Sequence, residues 1–228
     1  MISILKEGKL FDYSKITISM VIDILIEVIE NGTPELDEHA QMNDSVSRSS
    51  TKVRLAYFGQ INCFKGLDVL LDALLLMDKD TRQQFVLNIH GANLEYQPAE
   101  FQEKVYSALK RLKGTVFLHG PYENHELPAL LADTDWMVVP SIWYENSPIV
   151  IQEAFRSNVP VITSNVGGMA EKVTNMKNGL HFNVGKPLSL CAVLEKVAND
   201  KNLHKQCVAG IIPPSKLSET AKANLALY

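Results

Sequence analysis

The sequence predicts an α/β protein built on one open parallel sheet of about six strands, with helices on both faces. Three observations predict it. Short β-branched or apolar runs recur along the chain, at Val53–Phe58, Phe85–His90, Val116–His119, Trp136–Val139, Val159–Thr163 and a last short run before Phe182. Segments of helical periodicity separate them, so strand and helix alternate six times. Three of the runs close on glycine, at Gly59, Gly91 and Gly120, which marks strand ends turning into loops.

In chain order, residues 1–50 carry the least pattern. Ile16–Ile29 is strongly apolar and rich in isoleucine, compatible with strand or helix. Asp23 and Glu27 interrupt it, and it is shorter than the ~20 residues a membrane helix needs. Asn31-Gly32 is a turn signal, and the polar Glu35–Ser50 reads as a linker or mobile loop. After the first strand, Gln60–Gly66 is a loop. Leu67–Met77 is a helix with Leu67, Leu70, Leu71, Leu74 and Leu75 on one face. After the second strand, Pro98 opens a helix that buries Phe101, Val105, Ala108, Leu109 and Leu112. Glu126–Ala132 is a short helix, and Asp135 is a structural cap before the fourth strand.

Residues 135–171 organise the rest. Ser147 suits a helix N-cap and Pro148 the first helical position, so a helix runs from Pro148 to about Ser157. Asn158 takes the left-handed position after it, and Pro160 forbids continuation. Glu145 lies in the loop before this helix and Glu153 within it, roughly 7–8 Å along the axis from its start. Between them the helix start offers unpaired N–H groups and positive potential, a seat for a diphosphate. Carboxylates accept paired bonds from vicinal hydroxyls. Gly167-Gly168 forms a second glycine turn that opens another helix. Asn178–Phe182 turns into the last strand, Pro187–Asn199 is a helix, and a further helix starts near Glu219.

A content of 46% hydrophobic residues supports a buried core. A net charge of −4 and a pI of about 5.9 argue against a nucleic-acid partner. Cys63, Cys191 and Cys207 are odd in number and lack metal spacing, which fits free thiols in a reducing cytoplasm.

The motifs PSIWYENSPIVIQEA and PVITSNVGGMAE resemble the donor-site signature of retaining glycosyltransferases of family 4. Those enzymes have the GT-B architecture of two Rossmann-like domains. The resemblance runs from about Asn31 to Asp200 and belongs to the C-terminal, donor-binding domain. It implies that most of the N-terminal acceptor domain is missing. The organisation expected is an N-terminal remnant and polar linker over 1–50, the Rossmann-like domain over 51–200 and a helical tail over 201–228.

The resemblance also implies roles. Glu145 would contact hydroxyls of the transferred sugar, or stabilise positive charge at its anomeric carbon. Glu153 would bind the ribose. Asn146 and Ser147 would orient sugar and diphosphate. Gly167, Gly168 and Met169 would present N–H groups. Lys65 would offset the leaving diphosphate, with Gly59 in the glycine turn and Gln60 where an arginine often stands. His119-Gly120 would approach the base. The ligand would be a nucleoside diphosphate sugar acting as substrate, with no cofactor and no catalytic metal. The acceptor would be a glycan or a lipid-linked molecule, held by the missing domain. Peripheral association with a membrane and self-association of the chain are further expectations. Two other functions compete: a sugar-nucleotide epimerase of the same architecture, which the glutamate pair disfavours, and a catalytically inert nucleotide-sugar-binding fragment.

Overall fold

The computed structural model describes residues 5–6, 9–10 and 52–225. The chain divides into two compact units, Met1–Glu30 and Asn31–Tyr228. In the first, Leu5–Lys6 and Lys9–Leu10 pair antiparallel, Leu5 opposite Leu10. Ile16–Ile29, Asn31-Gly32 and Glu35–Ser50 lie outside the described residues.

The second unit contains a six-stranded sheet: β1 (Val53–Phe58), β2 (Phe85–His90), β3 (Val116–Gly120), β4 (Trp136–Val139), β5 (Val161–Ser164) and β6 (Gly179–Phe182). Their spatial order is β3-β2-β1-β4-β5-β6, with every pairing parallel. Parallel neighbours need long crossovers, and helices supply them. They are α1 (Leu67–Leu76), α2 (Lys79–Arg82), α3 (Ala99–Arg111), α4 (Leu127–Ala132), α5 (Ile149–Arg156) and α6 (Gly167–Lys172). Helices α7 (Pro187–Asn199), α8 (Lys201–Ala209) and α9 (Leu217–Leu225) follow β6. Strand order reverses between β1 and β4, the mark of a doubly wound sheet.

Alternation along the strands divides the core in two. Leu55 and Tyr57 of β1, with Val138, Ile162 and Leu180, pack under α1, α3, α7 and α8. Ala56 and Phe58, with Met137 and Val161, pack under α4, α5 and α6. Each large side chain buried in this way is worth about 1.5–3 kcal/mol. Among the described residues no helix is long and apolar enough to cross a membrane.

The strands match the sequence reading closely, and the departures have local causes. The strand expected from Val159 starts at Val161. Val159 N–H still bonds back to Ala154 O (2.9 Å), closing α5, and Pro160 has no N–H to give. Asn158 does adopt the left-handed conformation, φ 56°. Pro98 and Pro148 both stand at N-cap positions, one residue earlier than expected. Helix α8 falls in the helical tail expected over 201–228, although the sequence reading sets a helix start there only near Glu219. It starts where the Asp200 carboxylate accepts from Asn202 N–H (3.0 Å), and it buries Leu203 and Cys207.

Asp135 is structural, as expected, but it caps no helix. Its carboxylate accepts from the Arg54 backbone N–H (2.8 Å) and guanidinium (2.8 and 3.2 Å), and Asp133 pairs with the same guanidinium. Burial would raise the Asp135 carboxyl, but the Arg54 bonds outweigh it and hold it below the ordinary range. The pair clamps the start of β1 to the approach to β4. The three thiols are free, and burial pushes Cys191 and Cys207 up to about 11.

Candidate functional site

Doubly wound sheets bind ligands beyond the carboxyl ends of the strands, where strand order reverses. A cavity of about 330 Å³ occupies that place here. Tyr57, Phe58, Gly59 and Gln60 line it from the end of β1, and Val138 to Ser141 from the end of β4. Lys65, Glu145, Pro148 and Val150 complete it.

The loop after β1 is folded to deliver Lys65. Gly59 leaves the strand at φ 126°, a conformation reserved for glycine. Asn62 Oδ1 then accepts from Phe64 N–H (3.0 Å) and Lys65 N–H (3.1 Å), a tight turn. Gly66, at φ 68°, starts α1 so close to β4 that an added Cβ would lie 1.9 Å from Pro140 O. Tyr57 donates its hydroxyl to Gln60 O (2.7 Å) beneath this loop. Burial first, and then the Glu145 charge, push the Tyr57 phenol above its ordinary value.

Lys65 Nζ meets Glu145 Oε1 at 2.6 Å. The buried Ser141 hydroxyl lies 3.0 Å from the same oxygen and 3.1 Å from Phe64 O. It also accepts from Trp143 N–H at 3.3 Å. The backbone of residues 144–146 rests on the glycine turn: Gly168 N–H donates to Glu145 O at 2.7 Å. A Cβ on Gly168 would come within 2.1 Å of Asn146 O. This contact requires glycine at 168, and the left-handed backbone of Gly167, φ 56°, favours glycine beside it.

One expectation changes at this point. Ser147 is not the N-cap of α5. Pro148 is, and no side chain caps the first turn. Ser147 Oγ instead accepts from Gln152 Nε2 at 3.3 Å. The start of α5, at Pro148 and Val150, therefore borders the cavity with no side chain bonded to its first N–H groups. Gly168 N–H is engaged with Glu145 O. His119 lies away from the cavity lining. Its ring stacks on His90 (centroids 4.6 Å apart), His90 stacks on Phe58 (5.1 Å), and His119 Nε2 bonds Asn88 Oδ1 (2.9 Å).

The structure thus brings Gly59, Gln60, Lys65 and Glu145 into one cavity. Gly167 packs against Tyr144 and Glu145, and Met169 is buried in the core. Asn146 is exposed and Ser147 half-buried beside the helix start. Glu153 does not line the cavity. It is half-buried on α5, and its charge reaches Tyr122, which in turn packs edge-on against Phe58 and His90. Burial raises the Glu153 carboxyl, with Arg156 opposing.

The sequence reading passed over Ser141, Asn62 and Gly66. A signal for Gly66 was present, a glycine directly before a helix. Ser141 and Asn62 become legible only when segments distant in sequence meet. The expectation of no catalytic metal took the sequence to lack Asp-x-Asp, but two such spacings are present, at Asp78–Asp80 and Asp133–Asp135. Asp78 caps α2 through Asp80 and Thr81 N–H, and Asp133 and Asp135 both hold Arg54.

Fold and cavity together define a doubly wound α/β domain with its ligand crevice at the switch point. The family model described as glycosyl transferases group 1 matches residues 40–211, more than half of the chain, and the chain belongs to that family. It is 28% identical over 191 residues to a D-inositol 3-phosphate glycosyltransferase of Jonesia denitrificans, covering 78% of this chain and 43% of that protein. It is 30% identical over 176 residues to a glycogen synthase of Mycobacterium tuberculosis, covering 77% of this chain and 40% of that one. The chain thus spans less than half of each relative's length. Anabaena Alr3699/HepE, solved with UDP and glucose, superposes with a TM-score of 0.65 at 19% identity, over 78% of this chain and 48% of that one. A glycosyltransferase of Rickettsia africae superposes with a TM-score of 0.68 at 20% identity, over 89% and 56%. At such identities these two likenesses speak to the fold, which is that of GT-B glycosyltransferases.

Proposed function

We propose that this domain binds the nucleoside diphosphate sugar donor of a retaining, family-4-type hexosyltransferase. One observation carries the reading: the cavity at the switch point is walled by the uncapped start of α5 and by the Lys65–Glu145 pair. A helix start and a lysine suit a diphosphate, and a carboxylate beside them suits sugar hydroxyls.

In this reading Lys65 and the α5 N–H groups neutralise the diphosphate as it leaves. Removing its charge lowers the barrier to breaking the bond to the anomeric carbon. Glu145 contacts the transferred sugar and stabilises positive charge developing at that carbon. Glu153 accepts the ribose hydroxyls. Gly59 and Gln60 close the phosphate end, Asn146 and Ser147 orient the sugar, and His119 borders the base. The sugar nucleotide is a substrate, and the reading calls on no cofactor or metal. The acceptor is a glycan or lipid-linked molecule bound by a second domain, in an enzyme working in the cytoplasm, peripherally at the inner face of the membrane. Relatives named for inositol phosphate and glycogen chemistry, and a neighbour solved with UDP and glucose, support a sugar-nucleotide ligand.

Thermal shift with UDP-, GDP- and ADP-sugars tests the reading. A ligand at a hundred times its Kd stabilises the folded state by about 2.7 kcal/mol. At least one nucleotide sugar raises Tm in a concentration-dependent way. No shift with any of them would remove the reading.

A further inference from the structure

The Lys65 ammonium and the Ser141 hydroxyl meet on one oxygen, Glu145 Oε1, at 2.6 and 3.0 Å. Among the described residues no hydrogen bond reaches Oε2. The two neighbours differ in freedom. The Lys65 side chain is 39% exposed on a flexible stem, whereas Ser141 is 1% exposed and its hydroxyl oxygen accepts from Trp143 N–H, which leaves its one proton for Glu145. A diphosphate entering the cavity carries more charge than one carboxylate and competes for the lysine. The lysine end of the pair is 39% exposed and the glutamate end 20%, so water and salt screen it in part and the lysine can leave for a stronger charge.

We infer that Ser141 is a positioning residue for Glu145, holding its carboxylate in place when a ligand's diphosphate draws Lys65 away. The inference rests on the donor-binding reading above. Lys65 is shared between the carboxylate and the phosphate, and its departure lets Glu145 turn from ion pairing to the sugar. With the lysine gone, a carboxylate beside a diphosphate would be driven outward by like charge. The serine bond keeps it at the sugar end. The backbones before Lys65 and Glu145 are tied independently, Ile142 N–H donating to Phe64 O at 2.9 Å, so the two loops keep their spacing during the exchange.

The test is calorimetry on the 228-residue chain with UDP, GDP and ADP and with the glucose ester of each. Glu145→Gln strengthens binding of the bare nucleotide severalfold, because Lys65 is no longer shared. In a Lys65→Met background the same substitution strengthens it little. Ser141→Ala weakens the nucleotide sugar severalfold more than the bare nucleotide, and Ser141→Cys, which fills the same space with a poor donor, does the same. A gain from Glu145→Gln of equal size in both backgrounds would mean simple charge repulsion and would overturn the sharing. Parallel changes for the two ligands in both Ser141 variants, or no change, would overturn the positioning role. If no nucleotide binds the unmodified chain, the donor-binding reading itself fails.

Discussion

Glu145 and Glu153 have the same side chain in different surroundings, and their tests differ accordingly. Glu145 sits against a cation and a hydroxyl at the cavity. In an enzyme with its acceptor domain, Glu145→Ala should cut turnover by orders of magnitude while nucleotide affinity holds or rises. An equal loss of both would place Glu145 at the wrong end of the ligand. Burial raises the Glu153 carboxyl instead. A raised carboxyl binds its proton more tightly in the folded than in the unfolded chain, so through Glu153 the fold loses stability as pH rises through the folded pKa. Ligand affinity runs the other way, because the ionised form accepts ribose hydroxyls best. Nucleotide affinity should therefore fall as pH drops through that raised value, and Glu153→Gln should flatten this part of the profile. An unchanged profile in the variant would show that Glu153 is not the titrating group.

Elements meet at this site by close backbone approach, and glycines permit it. A methyl at Gly168 would lie 2.1 Å from Asn146 O, so Gly168→Ala should force the 144–146 loop away. Overpacking of this kind costs about 1–3 kcal/mol. Chemical denaturation would register the loss, and a stability within a few tenths of the original would contradict the contact. Asp135→Asn weakens the clamp between β1 and β4 and should cost about 1–3 kcal/mol, since Arg54 is left poorly paired. The Asp135 carboxyl is held low, so its contribution is present above the ordinary carboxylate range and is lost as pH falls through the folded value. The unmodified chain should therefore lose more stability in acid than Asp135→Asn does.

Legibility in the sequence follows the range of the interaction. β1, β2 and β4 announce themselves as apolar runs, because strands buried on both faces have little else to show. Helix α7 was legible from end to end for the same local reason. Helix α8 was not, since only Leu203 and Cys207 turn inward along nine residues. The Ser147 cap misled because Ser-Pro fits two alignments one residue apart, and the Gln152 side chain selects the other. The Lys65–Glu145 pair joins residues 80 apart in sequence. No spacing rule reaches that far, and the motif resemblance brought both residues forward without showing that they touch.

At the scale of the whole molecule, the described residues hold one six-stranded parallel sheet and one two-stranded hairpin. Transfer needs an acceptor aligned with the anomeric carbon, and alignment supplies ~7–11 kcal/mol of barrier reduction. The 228-residue chain alone should bind donor yet transfer no sugar at an enzyme-like rate. Mass spectrometry of a glycan acceptor incubated with chain and donor checks this. Rapid formation of glycosylated acceptor would show a complete enzyme.

In the proposed site a nucleoside diphosphate lies across the start of α5, from Lys65 to Glu153. Calorimetric titration of the chain and of Glu153→Ala with UDP, GDP and ADP tests it most directly. At least one nucleotide should bind the unmodified chain and bind Glu153→Ala roughly ten- to a hundredfold more weakly, the loss of a hydrogen bond to a charged group being worth about 1.5–3 kcal/mol. Equal affinity for both proteins, or binding of none of the three nucleotides, would contradict it.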